Sequence, residues 1–183
     1  IMEGVIKSKT TKDKVIEYIT YIFIYAFLGW VVETIYALFI HGHFVKRGFL
    51  FGSICPIYGF GAVILLLITQ KMYKKPFQKF LIATIAFTVF EYIVSLVLEM
   101  LFGLRWWDYS NDFLNIQGRV SVLYSIFWGI AGVLLLEKLH PFIQNKLQNI
   151  TTKWNIYNIQ NIFCFTLIFI LIIDVIFSVL KYL

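Results

Sequence analysis

Glu91, Ser95 and Glu99 stand at i, i+4 and i+8 within one apolar stretch, a spacing that lays them along one stripe of one helix. An ionised carboxylate in such a stretch is costly unless it is paired, neutralised or wet, so each one needs a reason. Glu33 and Asp174 raise the same question in two other apolar stretches. Two carboxylates on one stripe call for cations or protons beside them, and three arginines wait just outside the apolar runs: Arg47, Arg105 and Arg119. Arginine presents a planar fork that grips a carboxylate or phosphate in two places, whereas lysine acts as a point charge.

The word Arg105-Trp106-Trp107-Asp108-Tyr109-Ser110 is the densest polar-aromatic run in the chain. Trp and Tyr at the end of a membrane span ordinarily form the interfacial belt, and Arg105 and Asp108 would pair at i, i+3 if that segment were helical. Two readings of the acids and arginines are open. They form salt bridges pinning helix ends together, or they line a polar cavity open at one face of the membrane. On the cavity reading the substrate-binding residues are Glu33, Arg47, Glu91, Glu99, Arg105, Asp108 and Arg119, with Trp30, Tyr58, Tyr92, Ser95, Trp107, Tyr109 and Ser125 as further lining. Asp174, alone in Ile-Ile-Asp-Val-Ile, is left outside that set.

These residues are carried by a chain of 183 residues that is 60% apolar and only 14% charged. That balance does not suit a water-soluble domain, which needs nearly twice the charge to face water. Apolar stretches long enough to cross hydrocarbon recur, and the expected fold is all-α: a polytopic helical bundle in a single domain, 1–183. Five spans are expected at about 16–40, 55–71, 79–103, 120–139 and 161–181, after a cytoplasmic tail over 1–15. The connection 140–160, mixing Phe142, Ile143, Leu147, Ile150, Trp154 and Ile156 with polar residues, reads as an amphipathic piece along the membrane surface. The amino-terminal apolar stretch is too long for a signal-peptide core and lacks a small-residue cleavage site, so it reads as a span.

Eleven lysines fall in the tail and in the second and fourth connections, while Lys46, Lys181 and all three arginines fall in the others. Positive charge is retained on the cytoplasmic side, which predicts the amino terminus inside and the carboxy terminus outside, with the arginines outside. The net charge of +6 is explained by this flanking of spans, and no basic run with interleaved aromatics points to nucleic acid.

Other constellations carry less. His41-Gly-His43 is half a metal site without further ligands nearby. Cys55 and Cys164 are placed on opposite sides, too far apart for a disulfide. No Gly-x-x-x-x-Gly-Lys-Ser/Thr loop, nucleophile or metal cluster is present, so no cofactor, metal or catalytic residue is assigned. Arg47 to Gly61 is apolar yet rich in Gly and broken by Pro56, and such backbone survives at membrane depth where it lines a cavity or is buried in protein. Ser121, Ser125, Gly129 and Gly132 form a small-residue stripe that reads as a packing face.

Taken together, Phe27-Leu-Gly-Trp30 with Glu33 and Tyr36, Arg47-Gly-Phe-Leu with Gly52, Pro56-Ile-Tyr-Gly59, Phe90-Glu-Tyr92 with Ser95 and Glu99, Arg105 to Ser110, Gly118-Arg119, and Ser125 with Trp128-Gly129 resemble the ABC-transporter type IV family, also called CmpB-like. The resemblance covers about 26–141, and Ser53 and Lys46 depart from the family's words. It implies a permease-like protein of the bacterial plasma membrane that acts as a homo-oligomer or with a separate ATPase subunit. The expected function is binding and translocation of a polar, anionic or lipid-like solute, with membrane lipids as partners. The alternatives are a membrane-embedded enzyme acting on a lipid-linked substrate, with Glu33 or Glu99 as acid/base, and a non-catalytic accessory or scaffold protein.

Overall fold

A computed structural model of the chain describes residues 10–70, 75–154 and 157–182, with the side chains of 152–154 and 157–159 left aside. Lys7, Lys9, Lys71, Lys74, Ile156 and the side chains of Lys153 and Trp154 lie outside the described set. Helix α1 spans Thr11–His41, α2 Pro56–Thr69, α3 Pro76–Phe102, α4 Val122–Leu134, α5 His140–Trp154 and α6 Tyr157–Tyr182. A two-residue antiparallel pair, β1 (Asn115–Ile116) and β2 (Val120–Ser121), closes the loop between α3 and α4. The all-α helical bundle expected from the apolar stretches is what forms, and four of its helical runs are long and apolar enough to cross a membrane.

Local chemistry sets the helix ends. Thr10 accepts from Asp13 N while Asp13 accepts from Thr10 N, a capping box that starts α1 at residue 11 rather than at the apolar run beginning near 16. Pro56 and Pro76 stand at the first turns of α2 and α3, where a missing N–H costs nothing. Gly42 and Gly103 end α1 and α3 in the left-handed conformation at φ 70° and 64°.

The connection after α4 departs from expectation. Pro141 does not break the chain there. A π turn over Leu135–Leu139 joins α4 directly to α5, with the His140 N–H reaching back to Leu135 O. The widened turn absorbs a proline ring that would otherwise press on the preceding carbonyls. Residues expected to lie as a separate amphipathic segment instead prolong the fourth span, which runs Val122–Thr151. Ile143 and Leu147 pack on the core around Tyr21, Leu65 and Leu135.

Close helix approach at small residues organises the bundle. Helices α1 and α2 run antiparallel, with Gly59 against the carbonyl of Ile22 and Gly29 beneath the Tyr58 ring. Helices α3 and α4 meet along the small-residue stripe: Thr88 donates to Ser125 at 2.8 Å, Gly129 faces Thr84 and Phe80, and Gly132 faces Ala83. At 14 residues, α2 is about 21 Å long and short of the hydrocarbon thickness. It begins well inside the bundle, since Cys55 N donates to Ala26 O at 2.9 Å. Ala26 lies about 22 Å along α1 from His41. The non-helical segment 43–55 therefore descends to the middle of the bundle before α2 carries the chain on.

The ends of α1, α3 and α6 and the start of α4 share one end of the bundle, which also holds all three arginines. Tyr18, Gln70, Lys79 and Glu137 mark the other, lysine end, where a cavity of about 400 Å³ opens between Tyr18, Tyr21, Lys79 and His140. A methyl group at Gly59 would strike the backbone of Ile22, whereas one at Gly61 would meet Phe87 at 3.4 Å, an ordinary contact. Gly59→Ala should therefore lower stability in detergent by about 1–3 kcal/mol. Gly61→Ala should leave it within about 0.5 kcal/mol in the same thermal unfolding assay.

Candidate functional site

The descending segment delivers Arg47 to Glu33. Arg47 Nε and Nη2 both donate to Glu33 Oε2, at 3.0 and 2.7 Å. Tyr58, in the first turn of α2, donates its hydroxyl to the other oxygen of the same carboxylate. The pair is half-buried, with side chains 32% and 27% exposed.

Glu91 is handled differently. It is buried on α3, and no cation reaches it among the described residues. Tyr109 donates to its Oε1 at 3.1 Å and Trp128 Nε1 to its Oε2 at 3.0 Å. Burial, and then the facing Glu91, pushes the Tyr109 phenol above its ordinary range and keeps it a donor. Tyr58 and Trp128 meet edge to face at 5.5 Å, so the Glu33 and Glu91 groups adjoin through their aromatic donors. Tyr124 stacks on Tyr109 at 4.3 Å and fixes that ring.

Glu99 takes two guanidinium groups. Arg105 Nε donates to Oε1 at 3.0 Å, and Arg119 pairs with Oε2. Arg119 is 7% exposed and sits over the Tyr92 ring at 5.9 Å, with Ser95 Oγ accepting at 3.4 Å. Its Nε is buried without a hydrogen-bond partner among the described residues. One carboxylate against two guanidiniums leaves this group with a surplus positive charge. The loop holds its shape through Trp107 Nε1 to Arg119 O at 2.9 Å, Arg105 Nη1 to Gln117 O at 3.2 Å and Tyr92 to Gln117 Oε1 at 2.8 Å. Gln117 and Gly118 carry positive φ at this corner, 54° and 68°.

Glu33, Arg47, Glu91, Glu99, Arg105 and Arg119, singled out in the sequence, thus gather in three adjoining groups toward one end, two of them ion-paired. Asp108 forms no ion pair among the described residues, although Arg105 is nearby. The segment after Gly103 is not helical, so the condition for an Arg105–Asp108 pair is not met, and Asp108 accepts instead from Ser110 N and Oγ at 2.9 and 2.5 Å. Those two bonds, with a smaller contribution from Arg105, hold its carboxyl below the usual range. Trp30 stacks on Phe27 at 6.2 Å. Ser125 accepts from Thr88, on the packing face. His43 Nδ1 lies 2.8 Å from His41 O, and among the described residues no three metal-ligating side chains converge.

Trp128, Tyr124, Gln117 and Asp174 stand outside the site residues read from the sequence. Trp128 lies seven residues after Ser121 and three after Ser125, on the stripe that faces α3, and an indole donor there was a readable signal. The role of Asp174 could not have been found that way, because its long-range partners are backbone. Its two oxygens accept from Phe51 N at 2.8 Å and Gly52 N at 2.7 Å, and Ser178 donates to it at 3.1 Å. Helix α6 thereby holds the segment that presents Arg47.

Four helical runs long and apolar enough to cross a membrane define an integral membrane protein. The chain belongs to the family described as "Putative ABC-transporter type IV", whose model matches residues 20–179. The match runs past the stretch 26–141 that carries the resemblance in the sequence and takes in α6, consistent with the part Asp174 plays. No curated protein and no solved structure matches the chain.

Removing the Asp174 carboxylate should loosen the descending segment and uncover Cys55, now 4% exposed. Each hydrogen bond to a charged group is worth about 1.5–3 kcal/mol. In a Cys164→Ser background, Asp174→Ala should therefore raise the rate of maleimide labelling at Cys55 by roughly tenfold or more. An unchanged rate would mean that other contacts hold the segment.

Proposed function

We propose that this protein is a small permease-like component of the bacterial plasma membrane that binds and translocates a polar, anionic or lipid-like solute through its arginine end. The observation that carries this reading is the Glu99 group, in which two arginines share one carboxylate and Arg119 keeps a buried, unpartnered Nε. An anionic group of the solute, a phosphate or a carboxylate, would meet the surplus charge at Arg105 and Arg119 and could be gripped by the guanidinium forks. Glu33, Arg47 and Tyr58 would set the wall opposite, and Glu91 would sit deeper between its two aromatic donors. On the positive-inside rule the arginine end faces outward and the lysine-end cavity inward. The family description further suggests a separate ATPase partner.

The completeness of the Glu33–Arg47 pairing favours a second reading, in which the cluster is a scaffold holding helix ends together. Arg105 separates the two, because its side chain is 35% exposed and its removal leaves Arg119 on Glu99. Purified wild type reconstituted in liposomes, challenged with inorganic phosphate, glycerol phosphate and fluorescent phosphatidylglycerol, should move at least one of them. Arg105→Ala should cut that flux by about tenfold or more while leaving the melting temperature within a few degrees. Absence of flux in wild type, together with a large melting loss in Arg105→Ala, would leave the scaffold reading.

A further inference from the structure

Two lysines of the arginine end meet at one place. Lys46 lies just before Arg47 in the descending segment, and Lys181 in the last turn of α6. Lys46 Nζ stands 4.3 Å from the centroid of the Phe51 ring, and Lys181 Nζ 5.3 Å from the same centroid. The two ammonium groups are therefore within about 10 Å of each other, whichever faces of the ring they take. Among the described residues neither is in an ion pair: the pairs formed are Glu33–Arg47, Lys79–Glu137, Glu99–Arg105 and Glu99–Arg119. The nearby acid, Asp174, directs its oxygens to the N–H groups of Phe51 and Gly52 and to Ser178.

We propose that Lys46 and Lys181, converging on Phe51, form a binding site for the phosphate of an anionic phospholipid headgroup. Two long, flexible ammonium stems can close on one phosphate from either side of a ring edge, and lysine asks for no fixed bidentate geometry. The backbone that carries the ring is held in place, because the Phe51 N–H donates to both Asp174 and Ser178 on the helix that brings Lys181. Behind it, Tyr182 packs against Phe49 at 5.4 Å and Trp106 at 5.5 Å. Such an aromatic group at helix ends belongs at headgroup depth. One and four residues before Lys181 on α6, Leu180 and Phe177 are 65% and 61% exposed. They offer an apolar surface for acyl chains beside a site for the charge, which favours a lipid over a free anion. None of the carboxylates or arginines of the proposed solute site takes part, so this inference stands or falls independently of the transport reading.

The test uses the full chain in detergent, titrated with phosphatidylglycerol or phosphatidylcholine and followed by native mass spectrometry and thermal unfolding. Wild type should retain phosphatidylglycerol about tenfold more strongly than phosphatidylcholine, and the Lys46→Gln/Lys181→Gln double variant should lose that preference. Lys46→Arg/Lys181→Arg should keep it. Both variants alter exposed side chains and should melt as wild type does when no lipid is added, which separates lost binding from lost folding. Equal retention of the two lipids by wild type, or an undiminished preference in the glutamine double variant, would overturn the proposal. Displacement of phosphatidylglycerol by inorganic phosphate at comparable concentration would overturn the lipid assignment and leave a free-phosphate site.

Discussion

Backbone N–H groups that reach the middle of an apolar bundle must find acceptors, and that requirement governs the architecture of this chain. Helices α1, α3 and α6 meet it internally. The segment between α1 and α2 cannot, because it descends about 22 Å along α1 without helical bonds. Its acceptors come from outside: Ala26 O takes Cys55 N, and Asp174 takes Phe51 and Gly52 N. Once the segment is held, Arg47 is fixed opposite Glu33, and α2 starts where Tyr58 can reach the same carboxylate. A single acid on the last helix thus supports the geometry of a cluster to which it contributes no atom.

The three glutamates illustrate three ways of keeping a carboxylate in a membrane bundle. Glu33 has one arginine and a tyrosine, Glu99 has two arginines, and the more deeply buried Glu91 has only neutral donors from Tyr109 and Trp128. The number of arginine partners at the three positions is correspondingly one, two and, among the described residues, none. Glu91 is not isolated from the others, because the Tyr58–Trp128 contact brings its indole donor against the Glu33 group.

Much of this was legible in the sequence. Hydropathy alone delivered the helices, since nothing competes with a helix for an apolar run in hydrocarbon. The i, i+4, i+8 stripe placed Ser95 between Glu91 and Glu99, and the arginines were found beside the acids they pair with. What could not be read were interactions with backbone partners or long sequence separation. Asp174 looked solitary because, apart from Ser178 one turn on, its partners are N–H groups more than a hundred residues away. The Arg105–Asp108 spacing suits a pair only on a helix, and the turn that bonds Asp108 to Ser110 instead has no marker in that spacing. Pro141 looked like a terminator because a π turn has no marker in a hydropathy pattern.

That π turn sets the rotational phase of everything after it. A turn of five-residue bonds spends one residue more than an α-helical turn, and one residue is about 100° of rotation. Before it, Ser125, Gly129 and Gly132 point at α3; after it, His140, Ile143 and Leu147 point at Tyr25 and the core beside α1. One long helix thereby serves two neighbours on different sides. Its extra residue works as a phase shifter, and a deletion within 135–139 would swing the whole lysine-end half of the helix out of register while leaving the arginine-end half in place.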